Sequence, residues 1–97
     1  MRKEIQMLRM TTTTKLTPEE AITEAVKFFG PEGHGLEIRD QSPTCAHFTG
    51  GGGYVEVTSC TDEKGTSVEL VSQEWEHQVR EFLGKIPLSA KRKRKIG

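Results

Sequence analysis

The chain has no long run of apolar residues, and it is poor in cysteine and aromatic side chains. A helix that crosses a bilayer needs roughly 18 or more apolar residues in succession. The first ten residues, MRKEIQMLRM, are interrupted by Glu4, Gln6 and Arg9, which excludes the continuous apolar segment of a secretory signal. We therefore expect a cytoplasmic protein without a membrane span, in which the two cysteines are free thiols.

The sequence also lacks a net charge, but its charges are segregated along the chain. Residues 1–15 carry a net charge of +3, and residues 16–90 carry five basic and thirteen acidic side chains. The segment KRKRK at 91–95 adds a charge of +5. Because an acidic surface repels phosphate, we do not expect the folded body to bind nucleic acid.

The basic tail is the candidate phosphate-binding segment, and it consists of Lys91, Arg92, Lys93, Arg94 and Lys95. Adjacent cations of this kind give a contact that is salt-sensitive and independent of sequence. No aromatic residue lies among them, so stacking on bases is not expected. A solubilising terminus and a nuclear-targeting signal are the alternative interpretations of this tail.

Ninety-seven residues, of which 33% are hydrophobic, suffice for one small core. We predict a flexible N-terminal arm at 1–11, a single domain at 12–87 and a disordered basic tail at 88–97.

Two segments show helical signals. In TPEEAITEAVKFFGPEG, Thr17 is placed as N-cap, proline follows at the first helical position and Glu20 completes a capping box. Apolar residues then recur at helical spacing until Gly30 and proline end the pattern, which predicts a helix over Pro18–Phe29. The segment SQEWEHQVREFLGKIP predicts a second helix, with Ser72 as its cap and its end near Lys85.

The remaining segments are typical of strands. The threonine-rich stretch Thr12–Leu16 predicts a first strand. Apolar and polar residues then alternate in four segments, GLEIRD, TCAHFTG, GYVEVTSC and TSVELVS. Alternation with a period of two predicts an antiparallel sheet with one buried and one solvated face.

The turn sequences between these strands predict the register of two hairpins. The pairs expected on the solvated face are Thr49–Tyr54, His47–Glu56 and Cys45–Thr58. The pairs expected on the buried face are Phe48–Val55, Ala46–Val57, Leu70–Val57 and Val68–Ser59. The result is an α+β fold, a two-layer α/β sandwich of order β-α-β-β-β-β-α, with a curved antiparallel sheet and two helices on one face. This order resembles TBP-like (TATA-binding-protein-like) and helix-grip topologies, a likeness that concerns the fold alone.

The run Gly50–Gly53 is predicted to be a hairpin tip. A phosphate-binding loop needs a helix after the glycines, whereas a strand follows here. Four glycines exceed what a turn requires, so the tip is either mobile or closely approached by another group.

The candidate binding residues are His47, Tyr54, Glu56, Thr58 and Trp75. The first four share the solvated face, and the tryptophan is predicted to be core packing or the lining of a groove between the last helix and the sheet. Cys45, His47 and Cys60 are weak candidates for a metal site, because CxxC spacing is absent. No cofactor and no catalytic residue is predicted.

These patterns favour a small non-enzymatic binding or accessory module, monomeric or homodimeric, acting on an unidentified protein or small ligand. It would use its open sheet face or the helix–sheet groove. The alternatives are a nucleic-acid-associated protein that contacts phosphate through its basic termini, and a small-molecule or metal-binding domain.

Overall fold

The computed structural model describes residues 7–63 and 65–86, without the side chain of residue 62. Its elements in chain order are β1 (Leu8–Thr14), α1 (Pro18–Phe29), β2 (Glu37–Gln41), β3 (Cys45–Gly50), β4 (Gly53–Asp62), β5 (Gly65–Gln73) and α2 (Glu76–Lys85). The predicted α+β class, with five antiparallel strands and two helices, is confirmed. The likeness to TBP-like or helix-grip topologies stays a prediction.

Neither α1 nor α2 combines the length and the apolar character that crossing a bilayer would require.

The sheet has the strand order β1-β5-β4-β3-β2, and every neighbouring pair is antiparallel. Strands β2 to β5 follow one another as hairpins. The first strand instead lies beside the last, on the far side of the sheet from β2. Strands β1 and β2 are therefore the two edges.

The predicted registers of the two hairpins are confirmed. His47 is opposite Glu56 between β3 and β4, and Val57 is opposite Leu70 between β4 and β5. Both connections are tighter than predicted, because Gly50 pairs with Gly53 and residue 62 pairs with Gly65. Each hairpin loop is shorter than predicted by one residue pair, but the register of each hairpin is unchanged. Every side chain of these hairpins therefore keeps its predicted face.

Helix α1 has the predicted bounds and the predicted cap. The Thr17 hydroxyl accepts a hydrogen bond from the Glu20 amide at 3.1 Å, and the Glu20 carboxylate accepts one from the Thr17 amide at 3.0 Å. These reciprocal bonds satisfy two donors that a helix start would otherwise leave unpaired.

Both helices cover the same side of the sheet, which we call the inner face. Three buried phenylalanines join the layers there: Phe29 of α1, Phe48 of β3 and Phe82 of α2. The ring centroid of Phe29 lies 5.6 Å from that of Phe48 and 5.4 Å from that of Phe82. The opposite side of the sheet is the outer face.

The prediction for β1 was wrong in its bounds. The strand runs over Leu8–Thr14 instead of Thr12–Leu16, and each of its residues pairs with β5. Residues 8–11 were expected in the flexible arm, but the partly buried Leu8 and Met10 pack against the core. Residues 1–6 lie outside the described part of the chain.

The prediction that Ser72 caps the last helix was also wrong. Ser72 lies in β5, where it is buried and pairs with Leu8 on one side and Val55 on the other. The chain leaves the sheet only at Glu74, whose φ is +74°. Trp75 then occupies the N-cap position of α2 and makes no side-chain capping bond. Alternation in the strand has thus prevailed over the local capping tendency of serine.

Candidate functional site

Four of the five candidate binding residues lie together on the outer face. His47 projects from β3, and Tyr54, Glu56 and Thr58 project from the adjacent strand β4. Because successive residues of a strand point to opposite sides, these positions share one face while the buried Val55 and Val57 between them point to the helices.

His47 is the centre of this group. Its Nδ1 atom lies 3.2 Å from Oε2 of Glu56, and its ring centroid is 5.8 Å from that of Tyr54. The two side chains of this contact remain 37% and 49% exposed. Water therefore screens the pair, and its contribution to stability is expected to be a few tenths of a kcal/mol. The contact orients His47 without removing it from solvent.

A second carboxylate reaches the same row of the sheet through an irregularity in β2. The register between β2 and β3 shifts at Arg39, so that Asp40 pairs with His47. The imidazole thus lies between positions that carry carboxylates on both neighbouring strands, Glu56 on β4 and Asp40 on β2. The sequence did not predict this neighbour, because the alternation in GLEIRD carries no sign of a bulge.

The row continues across the rest of the outer face. Glu56 pairs with Val71 of β5, and Val71 pairs with Arg9 of β1. Val71 is only half-buried, and Arg9 forms an ion pair with Glu69 beside it. The outer face therefore combines one aromatic ring, one partly exposed apolar side chain and several charged groups within adjacent strands.

Trp75 is not part of this group. Its indole Nε1 donates a hydrogen bond to the Gly50 carbonyl at 2.9 Å, and its ring packs against the hydrophobic core. A methyl group at Gly51 would lie 2.9 Å from Trp75 Cζ2. Trp75 therefore lies against the glycine hairpin on the inner side. Trp75 is thus the closely approaching group that the four glycines had suggested.

The two cysteines are free thiols, and they do not lie opposite each other in the sheet. Cys45 pairs with Thr58, whereas Cys60 pairs with Ser67. Ser42 Oγ donates to Cys45 Sγ at 3.5 Å. Among the side chains that the structure describes, no three histidine, cysteine or acidic residues are grouped as a metal site would require.

An open cleft of about 500 Å³, which no sequence pattern predicted, lies between the start of α1 and the β2–β3 turn. Its lining residues are Glu19, Ile22, Thr23, Gln41, Ser42 and Pro43. The Ser42 hydroxyl accepts hydrogen bonds from the amides of Thr44 and Cys45, so it stabilises the turn. Ser42 thus serves the local fold, and none of His47, Tyr54, Glu56 and Thr58 lines this cleft.

The candidate phosphate-binding residues 91–95 lie outside the described part of the chain. Comparison of the sequence and structure with protein-family models, with curated proteins and with solved structures finds no match.

Proposed function

We propose that this chain is a small non-enzymatic binding module whose working surface is the outer face of its sheet. The observation that carries the proposal is the cluster of His47, Glu56 and Tyr54 on that face. This face is turned away from the helices, so these side chains do not contribute to the core. A tyrosine ring, an imidazole and a carboxylate that remain partly exposed can supply stacking, hydrogen bonding and charge to a partner.

The charges of this surface favour a cationic partner. Carboxylates without a lysine or arginine partner among the described residues lie at Asp40 and Glu56 on the outer-face register, whereas Arg9 and Glu69 there are paired with each other. Lysine or arginine side chains of a protein partner would find hydrogen-bond acceptors here, and Tyr54 offers a ring face for a cation. We therefore propose a basic protein segment as the ligand of the module.

Charge reversal at one position tests this function. Wild-type protein and the variant Glu56→Lys would be immobilised and used to capture partners from a lysate of the source cells. Binding of the captured partner would then be measured with purified components. We expect Glu56→Lys to weaken binding about tenfold or more, because a carboxylate contact becomes a repulsion.

Glu24→Lys is the matched control, since it makes the same change of charge on the exposed side of α1, where Glu24 lies 3.8 Å from Lys27. Binding to this control should stay at the wild-type level. Equal loss in both variants would indicate attraction to net charge alone. Unchanged binding in Glu56→Lys would reject the outer face as the working surface.

A further inference from the structure

The two edges of the sheet differ in how well they are protected against pairing with another strand. Edge strands present unpaired backbone groups, and natural sheets blunt them with short strands, charges and bulges. Strand β2 has all three devices: it is five residues long, it is bulged at Arg39, and it carries Glu37 and Asp40. This edge is poorly suited to strand addition.

Strand β1 has none of these protections apart from one charge. It is seven residues long, it pairs with β5 without interruption, and its sequence LRMTTTT contains no proline. The single charged side chain, Arg9, is engaged with Glu69 of its own chain. A long, regular and threonine-rich edge is a template for a further strand.

Apolar surface is concentrated at the same edge. Met7, immediately before β1, is 56% exposed, and it is the large hydrophobic side chain most open to solvent among the described residues. Leu8 and Met10 are only partly buried and lie on the inner side of the strand. A neighbour along β1 would cover these side chains while pairing the backbone.

We propose that β1 is a dimerisation edge, which pairs antiparallel with β1 of a second copy of this chain, with Thr11 opposite Thr11 on the two-fold axis. This proposal is independent of the function of the outer face. The pairing joins the two sheets into one, with the helices of both copies on the same side. Two outer faces then lie side by side and give a bivalent surface.

The alternation of the strand fixes this register. Residues opposite each other must share a face, so that Met10 lies opposite Thr12 and Arg9 opposite Thr13 across the axis. Centring the pair on Thr11 places residues 9–13 of the two copies opposite each other, whereas Thr14 is fully buried and stays outside the pairing. A shift of the centre to Thr12 would set Arg9 opposite Lys15, a like-charge pair, and a shift to Met10 would bring the two Arg9 side chains within two strand positions, about 7 Å along the strand.

The centred register also keeps the cations of the two copies apart. The two Arg9 side chains are four strand positions from each other, a separation of about 13 Å along the strand. This exceeds the screening length of about 8 Å at physiological salt. The threonines between them are neutral and β-branched, and threonine pairs across strands are favourable.

Sedimentation velocity over a wide range of concentrations tests the proposal with the full chain. We expect a monomer–dimer equilibrium for the wild type and a monomer for Thr11→Lys. The new ammonium group would lie beside Glu69, the partner of Thr11 within its own copy, so that folding is preserved and circular dichroism should be unchanged. Across the axis, however, two ammonium groups would face each other. Thr11→Glu should likewise be monomeric, and a mixture of the two variants should recover the dimer.

Gln41→Lys is the control on the opposite edge, since it adds the same charge to the exposed Gln41 of β2, and it should leave the dimer intact. A monomer at all wild-type concentrations would overturn the proposal. A dimer that persists in Thr11→Lys would also overturn it, because another surface must then hold the copies together.

Cysteine cross-linking checks the register in a chain that also carries Cys45→Ser and Cys60→Ser. Thr11→Cys should form an intermolecular disulfide under mild oxidation, because directly opposed residues have Cα atoms about 4.5–5.5 Å apart, within disulfide range. Thr13→Cys should not, since Arg9 of the other copy lies opposite it. Efficient cross-linking at position 13 and none at 11 would contradict the register.

Discussion

At the residue scale, two buried serines on the inner face have opposite hydrogen-bonding states. Ser59 Oγ donates to the Pro18 carbonyl at 3.0 Å and so ties β4 to the first turn of α1. Ser72 Oγ, which is equally buried, has no hydrogen-bond partner among the described residues. A buried hydroxyl without a partner loses its hydration and gains nothing in return, so these two serines should affect stability with opposite signs.

We predict that Ser72→Ala leaves the free energy of unfolding unchanged or raises it by about 1 kcal/mol, because the variant removes an unsatisfied polar group. Ser59→Ala should lower it by about 1 kcal/mol, since a made hydrogen bond is lost. Urea unfolding of both variants would measure the two effects side by side. A destabilisation by Ser72→Ala as large as that by Ser59→Ala would contradict the assignment of an unpaired hydroxyl.

At the element scale, the hairpin of β3 and β4 shows why its tip is made of glycine. Gly51 and Gly52 have φ values of +57° and +86°, which the two central residues of a tight hairpin of the type I′ kind require. Only one of the two positions is crowded as well. A methyl group at Gly52 would meet nothing within 4 Å, whereas one at Gly51 would press on the Trp75 ring. The tip therefore also contacts Trp75, the N-cap residue of α2.

The two glycines therefore predict different costs for the same substitution. Gly52→Ala should lower the free energy of unfolding by about 1 kcal/mol through backbone strain alone. Gly51→Ala carries the same strain and must also displace Trp75, so its cost should be clearly larger. Changes in the unfolded chain are common to both variants and cancel in the comparison.

Urea unfolding would measure the difference between these two variants, and tryptophan emission would report its origin. Emission from the folded state should shift in Gly51→Ala and stay unchanged in Gly52→Ala, because Trp75 is the only tryptophan in the chain. Equal losses of stability with identical spectra would show that contact with Trp75 does not add to the cost of substituting Gly51.

At the scale of the whole molecule, stability depends on one small core that joins both helices to the sheet. Phe29 is fully buried at its centre, in contact with Phe48 of β3 and Phe82 of α2. The neighbouring Phe28 also reaches the Phe82 ring, at 5.5 Å, but it remains partly exposed. The described residues form a single hydrophobic core, so disruption of this core should destabilise the whole domain.

We predict that Phe29→Ala costs about 3–5 kcal/mol, the usual price of a large cavity. Because small domains have only about 5–15 kcal/mol in total, this variant should be close to unfolding at room temperature. Phe28→Ala is the control and should cost distinctly less, since part of its ring already contacts water.

Urea unfolding followed by far-ultraviolet circular dichroism and by Trp75 fluorescence would test this single core. The two wild-type curves should coincide, as expected for a domain that unfolds as one unit. Separate transitions for the two signals, or equal costs for Phe29→Ala and Phe28→Ala, would show that the layers are less dependent on each other than the structure implies.

The sequence by itself determined the features that arise between residues close along the chain. The capping box of Thr17 and Glu20 set the start of α1, because its hydrogen bonds span a single turn. Alternation and short turns set the registers of the β3–β4 and β4–β5 hairpins, and with them the meeting of His47 with Glu56 on the outer face. The part of the candidate site on β3 and β4 could thus be predicted.

Only the tertiary structure decided the contacts between residues far apart in the chain. These are the pairing of β1 with β5, the bulge that brings Asp40 beside His47, the burial of Ser72 and the packing of Trp75 on the glycine hairpin. Apart from Ser72, which continues the alternation of Val68 and Leu70, none of them leaves a periodic signal, because each depends on how whole layers fill space around the core. Serine at position 72 shows the difference: its local preference is to cap a helix, but the packing of β5 between β1 and β4 places it inside the sheet.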